Sequence, residues 1–408
     1  MDEAASNSVP QPVRPPEKLE SLLGEADAKR IVDFRHDLHC HPEIGMETVS
    51  TADKVEAELR AMGFTDIRRF AKTGLAARLQ GEKPGPMIGI RADMDALPAP
   101  DETGLPWASQ RSNCAHLCGH DGHTAGLLAA ALWFSRHPHF AGEIVFIFQP
   151  GEEGWSGAKK MIDDGLFKAY PCREVYAMHC ESRLPIGSMK MRRGAMTANA
   201  DIAKVTMEGC GGHGARPHQT IDPVPAIVEF LSAVPTIVSR NIDAMKPAVL
   251  SPCWIAAGDE NAPTVIPQRA RCSVSVRTFD RDVQDTVEKR LREAAQGAAQ
   301  MFGCRADFSY EHYYPSQVNN AALVDALEPA LKRVFGDEAV LTDFSPSMGS
   351  EDFAFMSQCV PGVYIQFGMV DKDHCGVSAH NPHFDFNDAV LGAWLRALIT
   401  IVETRLPL

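Results

Sequence analysis

The sequence lacks any apolar run close to the roughly 20 residues that a helix needs to span a bilayer. It also lacks an excess of positive charge, since 40 Lys and Arg residues stand against 53 Asp and Glu residues. The polar, Pro-rich residues 1–16 lack the apolar core of a signal peptide. These absences argue against a membrane or nucleic-acid partner and predict a disordered leader over 1–16.

A disulfide-framework spacing is also missing, although the 408 residues include 11 cysteines. An odd number of scattered cysteines without a signal peptide predicts free thiols in a reducing cytosol, and therefore a cytoplasmic protein. The length allows two or three domains with a large core, and the 45% hydrophobic content is ordinary for a globular chain.

What the sequence does contain is a dense group of metal-ligand types at residues 113–123, with three His, two Cys and one Asp. Thiolate and imidazole groups are preferred ligands of zinc and similar metals. Cys118 and His120 are two positions apart, so both side chains could face one ion. The stretch alone fits a His-rich loop with a buried thiol equally well, so its interpretation depends on the rest of the chain.

Further ligand types follow predicted buried strands. The strand at 87–90 leads to Asp93 and Asp95, the strand at 142–149 leads to Glu152 and Glu153, and the strand at 175–178 leads to His179. Polar groups at strand ends commonly line a site at the edge of a sheet. In an adjacent carboxylate pair, one member can bind a metal ion while the other accepts a proton from an attacking water. The pattern therefore favours a metal site with a general base beside it.

The order of predicted elements indicates an α/β fold interrupted by an α+β domain. Residues 195–314 follow the order βαββαβ, which is that of the split ferredoxin-like unit. The flanking parts, 17–194 and 315–408, have the alternating strands and helices of one α/β domain. We therefore predict a catalytic domain in two parts around an inserted domain.

Six motifs that occur in one order resemble the amidohydrolase branch of the aminoacylase and carboxypeptidase metallopeptidases. They are ADMDALP (92–98), CGHDGHT (118–124), QPGEE (149–153), GGHGA (211–215), MGSEDF (348–353) and HNPHF (380–384). That branch includes hippurate hydrolases and auxin-conjugate hydrolases. The resemblance implies a zinc-exopeptidase-like catalytic domain with a ferredoxin-like lid and dimerisation domain, and therefore a homodimer or a higher homo-oligomer.

The resemblance also implies roles for particular residues. One or two divalent metal ions per subunit, zinc or manganese, would be bound by Cys118, His120, Glu153, His179 and His380. Glu152 corresponds to the general base, and His213 corresponds to a residue that stabilises the oxyanion in its own or the partner's site. Asp95 and Asp121 are expected to orient the ligand imidazoles.

A few positions depart from the pattern of this branch and bear on substrate choice. Leu117 stands where Ala is usual, and Thr264 stands where relatives usually carry an Asn that helps to hold the substrate carboxylate. We assign Leu117, Thr264, Arg216 and Ser350 to the substrate pocket, and we also expect Ser350 to cap a following helix.

The reaction class expected from these residues is hydrolysis of a carbon–nitrogen bond in a small acyl or aromatic amino acid. The first hypothesis is cleavage of the amide bond of an N-acyl or N-aroyl amino acid. A second is hydrolytic deamination of an aromatic amine such as 5-nitroanthranilate, with release of ammonia. A non-catalytic metal-binding module and a hydrolase with Cys118 as nucleophile are further alternatives, and Glu152 beside Glu153 argues against the former.

Overall fold

The structure, a computed structural model, describes residues 17–372, 374 and 377–408. The leader predicted over 1–16 therefore lies outside the described residues. Contacts divide the described chain into two compact units. The first comprises the described residues up to Met196 together with Val318–Ser345 and Asp352–Leu408, and the second comprises Thr197–Gln317 and Pro346–Glu351. The sequence predicts residues 346–351, including Ser350, in the second part of the catalytic domain, whereas in the structure their contacts are with the second unit.

Sixteen strands and eleven α-helices make up the two units. The strands are β1 (Ile67–Phe70), β2 (Gly74–Gln80), β3 (Lys83–Asp93), β4 (Ala141–Gln149), β5 (Glu174–Pro185), β6 (Met189–Lys190), β7 (Gly194–Thr197), β8 (Ala200–Glu208), β9 (Gly212–His213), β10 (Ala248–Ala257), β11 (Val265–Ile266), β12 (Arg269–Thr278), β13 (Arg305–Tyr314), β14 (Gln317–Asn319), β15 (Val340–Leu341) and β16 (Gly362–Val370). The helices are α1 (Leu19–Leu23), α2 (Glu25–Cys40), α3 (Val49–Ala61), α4 (His120–Arg136), α5 (Gly157–Asp163), α6 (Leu166–Ala169), α7 (Pro223–Asn241), α8 (Arg281–Met301), α9 (Ala321–Phe335), α10 (Phe353–Cys359) and α11 (Leu391–Arg405). In the described part of the chain, no helix combines the length and the hydropathy that a membrane span requires.

The first unit is built on an eight-stranded mixed sheet in the order β1-β2-β4-β3-β5-β16-β6-β15. Its central strands β4, β3, β5 and β16 run parallel to one another, and their buried apolar residues form the core with the helices. Parallel strands carry their carboxyl ends to one edge of a sheet. β3 and β4 end at Asp93 and Gln149, so the polar segments that follow them meet there, as the sequence predicts. The third predicted strand end is different, because β5 continues to Pro185 and His179 lies within it. The donor atoms of His179 still lie near those of Asp93 at the end of β3.

The second unit has a four-stranded antiparallel sheet in the order β10-β12-β8-β13. Helices α7 and α8 pack on the sheet and bury a separate hydrophobic core. In chain order these elements are β8-α7-β10-β12-α8-β13, which is the ferredoxin-like arrangement. The predicted fold class, α/β with an α+β unit, is confirmed.

The apolar spacing of the sequence predicts one helix over 19–38 and one strand over 265–279, and the structure divides each of them. The helix expected over 19–38 is broken at Gly24, whose φ of 83° lies in the left-handed region and ends α1 before α2 begins. The strand pattern expected over 265–279 is split into β11 and β12, because Pro267 lies between them and has no N–H for a ladder. In both cases the apolar spacing continued across a backbone break.

Helix α4 packs so closely against the ring of Phe386 that one of the glycines in the helix has no room for a side chain. A Cβ at Gly122 would lie 2.3 Å from the Cγ of Phe386. We expect Gly122→Ala to destabilise the protein by about 1–3 kcal/mol, because Phe386 is buried and must move. Gly297→Ala in α8, where a Cβ meets open space, is the matched control and should stabilise by about 0.5–1 kcal/mol. Thermal unfolding of both variants tests this, and equal shifts would contradict it.

Candidate metal centre

The first two predicted ligands lie at a tight turn before α4. Gly119 adopts a φ of 83°, and a Cβ there would lie 2.6 Å from the Sγ of Cys180. Only glycine fits such a position without strain. The turn places Cys118 two positions before the helix, Gly119 at its N-cap and His120 as its first residue. His120 is fully buried, and its Nε2 atom has no hydrogen-bond partner among the residues that the structure describes.

Asp95 holds three parts of the site together. Its Oδ1 accepts the N–H of Glu152 at 2.9 Å and its Oδ2 accepts the N–H of Glu153 at 3.1 Å. Its backbone carbonyl accepts the Nδ1–H of His120 at 2.9 Å. This contact leaves the Nε2 of His120 free of its proton and available to a metal ion when the ring is neutral. Asp95 thus contacts a predicted ligand and both residues of the glutamate pair.

His179 is oriented in a similar way at the sheet edge. Its Nδ1 donates to the carbonyl of Cys180 at 2.7 Å, and its Nε2 lies 3.4 Å from the Sγ of Cys118. Burial raises the pKa of the Cys118 thiol well above its ordinary value, and the charge of Glu153 adds to this effect. A protonated, buried thiol is a poor free nucleophile, which argues against a nucleophilic role for Cys118.

His380 reaches the site from the segment after β16. Its ring Nε2 lies 3.0 Å from Oε1 of Glu153, and its backbone N–H donates to the carbonyl of Leu117 at 2.7 Å. Its φ of 69° is in the left-handed region, which is uncommon for a residue with a Cβ. Such backbone strain is often found where a side chain is held for function.

The donor atoms of the five predicted ligands fall into overlapping groups. Cys118, Glu153 and His380 have donor atoms within 4.8 Å of one another, and so do His120, Glu152 and Glu153. His179 joins them through its 3.4 Å approach to Cys118. The structure therefore brings together all five predicted ligands, which come from four separate segments of the chain. Thiolate, imidazole and carboxylate ligands in such a set suit zinc and similar divalent ions.

The electrostatics of the site also fit a bound cation. Burial alone would lower the pKa of His120, but Asp93 and Asp95 outweigh burial and raise it to about 10. Burial alone would raise the pKa of Glu153, but its contact with His380 and the charge of His120 lower it. Both shifts show that the buried carboxylates attract positive charge, and a divalent ion would supply that charge. The residues present therefore fit the metal that the family resemblance implies.

His123 belongs to the same cluster but is fully engaged in hydrogen bonds. Its Nδ1 lies 2.6 Å from Oδ1 of Asp93, and its Nε2 accepts the N–H of Cys180 at 3.0 Å. Burial lowers its pKa to about 3, so the ring is neutral, with its proton on Nδ1. Although its donor atoms lie near those of His120 and His179, both ring nitrogens already have partners. We infer that His123 supports the site without being a ligand.

Glu152 is buried at the side of these groups, where a general base is expected. Its N–H is held by Asp95, and its Oε1 accepts the N–H of Asp352 at 3.3 Å. Asp352 is itself fully buried and is the residue before α10. The structure thus makes Asp352 the N-cap, in place of Ser350, and its carboxylate contacts other partners instead of capping the helix.

Asp121 has different partners from those expected. Its Oδ2 lies 2.9 Å from Nε of Arg35 and 2.7 Å from Nδ1 of His39, and all three residues are buried. Arg35 also pairs with Asp385. These contacts tie α2 to the start of α4 rather than orienting a ligand imidazole.

Leu117 differs from the expectation that it narrows the substrate pocket. Its side chain is fully buried in the core of the first unit, so no ligand can reach it. Its backbone carbonyl instead accepts the N–H of His380. The side chain instead packs in the hydrophobic core, which residue spacing does not reveal.

The remaining predicted residues lie in the second unit. His213 in β9 pairs with Val265 of β11, and the N–H of the following Gly214 donates to the carbonyl of Thr264 at 2.8 Å. The N–H of Arg216 donates to the carbonyl of His213 at 2.8 Å. The structure thus brings His213, Thr264 and Arg216 together on one exposed loop region, whereas Ser350 is half-buried in another segment of this unit.

Comparison with known proteins identifies the family. Residues 89–403 match the model of peptidase family M20/M25/M40. The chain is 34% identical to an N-acetylcysteine deacetylase of Bacillus subtilis, covering 91% of this chain and 95% of the relative. It is 35% identical to a hippurate hydrolase of Campylobacter jejuni, covering 88% and 92%.

A solved structure shows the same architecture. The crystal structure of the Bacillus subtilis YXEP protein, described as a dinuclear metal-binding peptidase of the M20 family, matches with a TM-score of 0.80 and 29% identity, covering 92% of this chain and 98% of that one. The converging ligands, the fold and the family match agree. The chain belongs to peptidase family M20/M25/M40, and it is a metal-dependent amidohydrolase of that family.

Proposed function

We propose that the protein hydrolyses the amide bond of small N-acyl or N-aroyl amino acids. The observation that carries this proposal is the convergence of five predicted ligands beside the buried carboxylate of Glu152. A divalent ion bound there would activate a water molecule and polarise the scissile carbonyl. Deacetylase and hippurate hydrolase activities in similar proteins support an acyl amino acid as the substrate.

Glu152 would accept a proton from the attacking water and return it to the leaving amine. Asp95 holds the backbone N–H of Glu152, and the N–H of Asp352 holds the carboxylate, so the side chain is placed for both transfers. His213 would donate a hydrogen bond to the developing oxyanion. Its Nδ1 accepts the N–H of Ala215 at 3.1 Å, so the neutral ring carries its proton on the exposed Nε2, as a donor requires.

We also propose that a cavity of about 210 Å³ in the first unit, whose lining includes none of the proposed metal ligands, holds the acyl or aryl group of the substrate. Leu105, Met369 and Val377 supply part of its apolar lining, and its wall also includes Ser182 and His383. The last two residues lie three positions after His179 and His380, respectively. An apolar cavity of about 150 Å³ can bind benzene, so the space is sufficient for one aromatic ring or a short acyl chain.

A substrate panel tests the proposal. We expect the metal-loaded protein to release amine from N-acetylcysteine or from hippurate, measured by amine derivatisation, and the chelated protein to release none. Ammonia release from 5-nitroanthranilate, without cleavage of either amide, would instead support the aminohydrolase hypothesis. Failure of the metal-loaded protein on both substrate classes would favour a non-catalytic metal-binding module.

The finer properties of the enzyme remain part of this proposal. We propose zinc or manganese as the metal, with one or two ions per subunit, because two of the four groups of donor atoms in the described residues share Glu153. We also propose a cytoplasmic homodimer or higher homo-oligomer. The ten cysteines in the described part of the chain are free, as a reducing compartment would keep them.

A further inference from the structure

A fully buried guanidinium contacts two carboxylates whose oxygen atoms lie near residues of the candidate metal centre. Arg91, near the end of β3, donates from Nε to Oε1 of Gln149 at 2.7 Å. It donates from Nη1 to Oδ2 of Asp93 at 2.8 Å and from Nη2 to Oδ1 of Asp352 at 3.0 Å. The side chains of Arg91 and both carboxylates have no exposed surface. A buried charge of this kind requires close partners, and here one cation serves two anions.

The first carboxylate leads to a predicted metal ligand. The Oδ1 of Asp93 faces the Nδ1 of His123 at 2.6 Å, and the Nε2 of His123 accepts the N–H of Cys180 at 3.0 Å. The carbonyl of Cys180 in turn accepts the Nδ1–H of His179 at 2.7 Å. Because both nitrogens of His123 are used, its tautomer and ring orientation are set by Asp93. This chain of contacts determines where the Nε2 of His179 points.

The second carboxylate leads to the proposed base. Asp352 is held by the Nε2–H of Gln149 at 2.7 Å and by the N–H of Ala158 at 2.9 Å, in addition to Arg91. Its own N–H donates to Oε1 of Glu152 at 3.3 Å. The position of the Asp352 backbone, and with it one hydrogen bond to the Glu152 carboxylate, therefore depends on how the Asp352 side chain is anchored.

We propose that Arg91 is a positioning residue that fixes where the side chains of the metal ligand His179 and the base Glu152 lie relative to each other. The inference rests on the proposed function, since it assumes those two roles. Asp93 and Asp352 come from distant parts of the sequence and would repel each other without a cation between them. A guanidinium suits this place because its planar fork donates in several fixed directions, whereas a lysine ammonium offers no such geometry.

Three variants separate the two paths of contacts that start at Arg91. One path leads through Asp93 and His123 to His179, and the other leads through Asp352 to Glu152. In the full-length, metal-loaded protein, His123→Phe should weaken metal affinity by roughly 10- to 100-fold, the usual effect of losing a supporting contact. At saturating metal, its kcat should fall less than that of Asp352→Asn, and the acidic limb of its pH profile should not move. Asp352→Asn should leave metal affinity within about twofold, lower kcat roughly 10-fold with little change in KM, and move the acidic limb of the pH profile. Arg91→Lys should show both defects.

The measurements are metal affinity by chelator competition and kcat, KM and pH profile on a cleaved amide. The matched control is Glu174→Gln, which alters a buried carboxylate paired with Arg405 at 2.9 Å at the opposite end of β5. Glu174→Gln should change neither metal affinity nor the pH profile, even if its melting temperature falls as far as those of the other three variants. A folded Arg91→Lys with parent-like metal affinity, kcat and pH profile would overturn the inference, and if this variant does not fold, the other two variants still test the two paths of contacts that the inference requires.

Some outcomes would overturn the inference. Parent-like metal affinity in His123→Phe together with a parent-like pH profile in Asp352→Asn would do so. So would identical losses of metal affinity and kcat in both, because a general loss of structure would explain them. Failure of the proposed function is recognised separately: the parent protein would then bind no divalent ion, or Glu152→Gln would retain its turnover.

Discussion

Replacing Glu152 with Gln is expected to lower kcat by on the order of 10²- to 10⁴-fold, the usual contribution of a positioned general base. The amide keeps the size of the side chain and can still accept the N–H of Asp352, so the site should retain its shape. The amide cannot accept a proton, however. Metal content, measured by elemental analysis of the purified variant, should equal that of the parent, because the predicted ligand is the neighbouring Glu153.

The same substitution at the other end of β4 provides the control. Glu143 pairs with Arg78 at 3.2 Å on the surface of the sheet, and Glu143→Gln should leave kcat unchanged. If Glu152→Gln retains more than about a tenth of the parent kcat while fully loaded with metal, Glu152 is not the base. If it loses metal as well as activity, Glu152 acts as a ligand.

The second large effect is expected from the metal-binding thiol. Cys118→Ser replaces a soft thiolate with a hydroxyl of similar shape, and we expect metal affinity to fall by more than the roughly 10- to 100-fold that follows loss of a supporting contact. Activity at limiting metal should fall with it. Excess metal should raise the melting temperature of the parent protein more than that of the variant, because an ion that binds the folded state stabilises it.

Cys359→Ser, at an exposed thiol of the same unit, is the matched control and should bind metal as the parent does. Affinity is best measured by competition with a chromophoric chelator, followed by elemental analysis of the bound ion. A Cys118→Ser variant with parent-like affinity would remove Cys118 from the ligand set. Chelator-resistant activity in the parent would contradict the metal-dependent mechanism as a whole.

Much of the fold follows from local patterns. β3 and β4 are apolar runs of strand length that end at Asp93 and Gln149, and their parallel pairing with each other and with β5 brings these ends close to His179. The breaks at Gly24 and Pro267 were missed because the hydrophobic spacing on either side stays in phase. At both positions backbone conformation or a missing N–H outweighs periodicity.

The site was predictable in its ligand types but not in its supporting contacts. The motifs predict Cys118 and His380 as ligands. The hydrogen bond from the backbone N–H of His380 to the carbonyl of Leu117, next to Cys118, depends on tertiary structure and is not visible in the sequence. The resemblance predicts Leu117 in the pocket because relatives usually carry Ala there, but the side chain is buried in the core. The motifs also contained His123 and Asp352, but only the folded chain shows their hydrogen-bond partners.

The pairing of β5 with β16 has a consequence for the synthesis of the protein. Gln366 of β16 lies opposite His179 of β5, and all of the second unit is translated between them. Such a high contact order slows folding, because a long loop must close before the pair can form. A nascent chain would expose the open edge of β5 until β16 emerges, and His380 follows only after that. We therefore expect the ion to enter late, after the central sheet is complete.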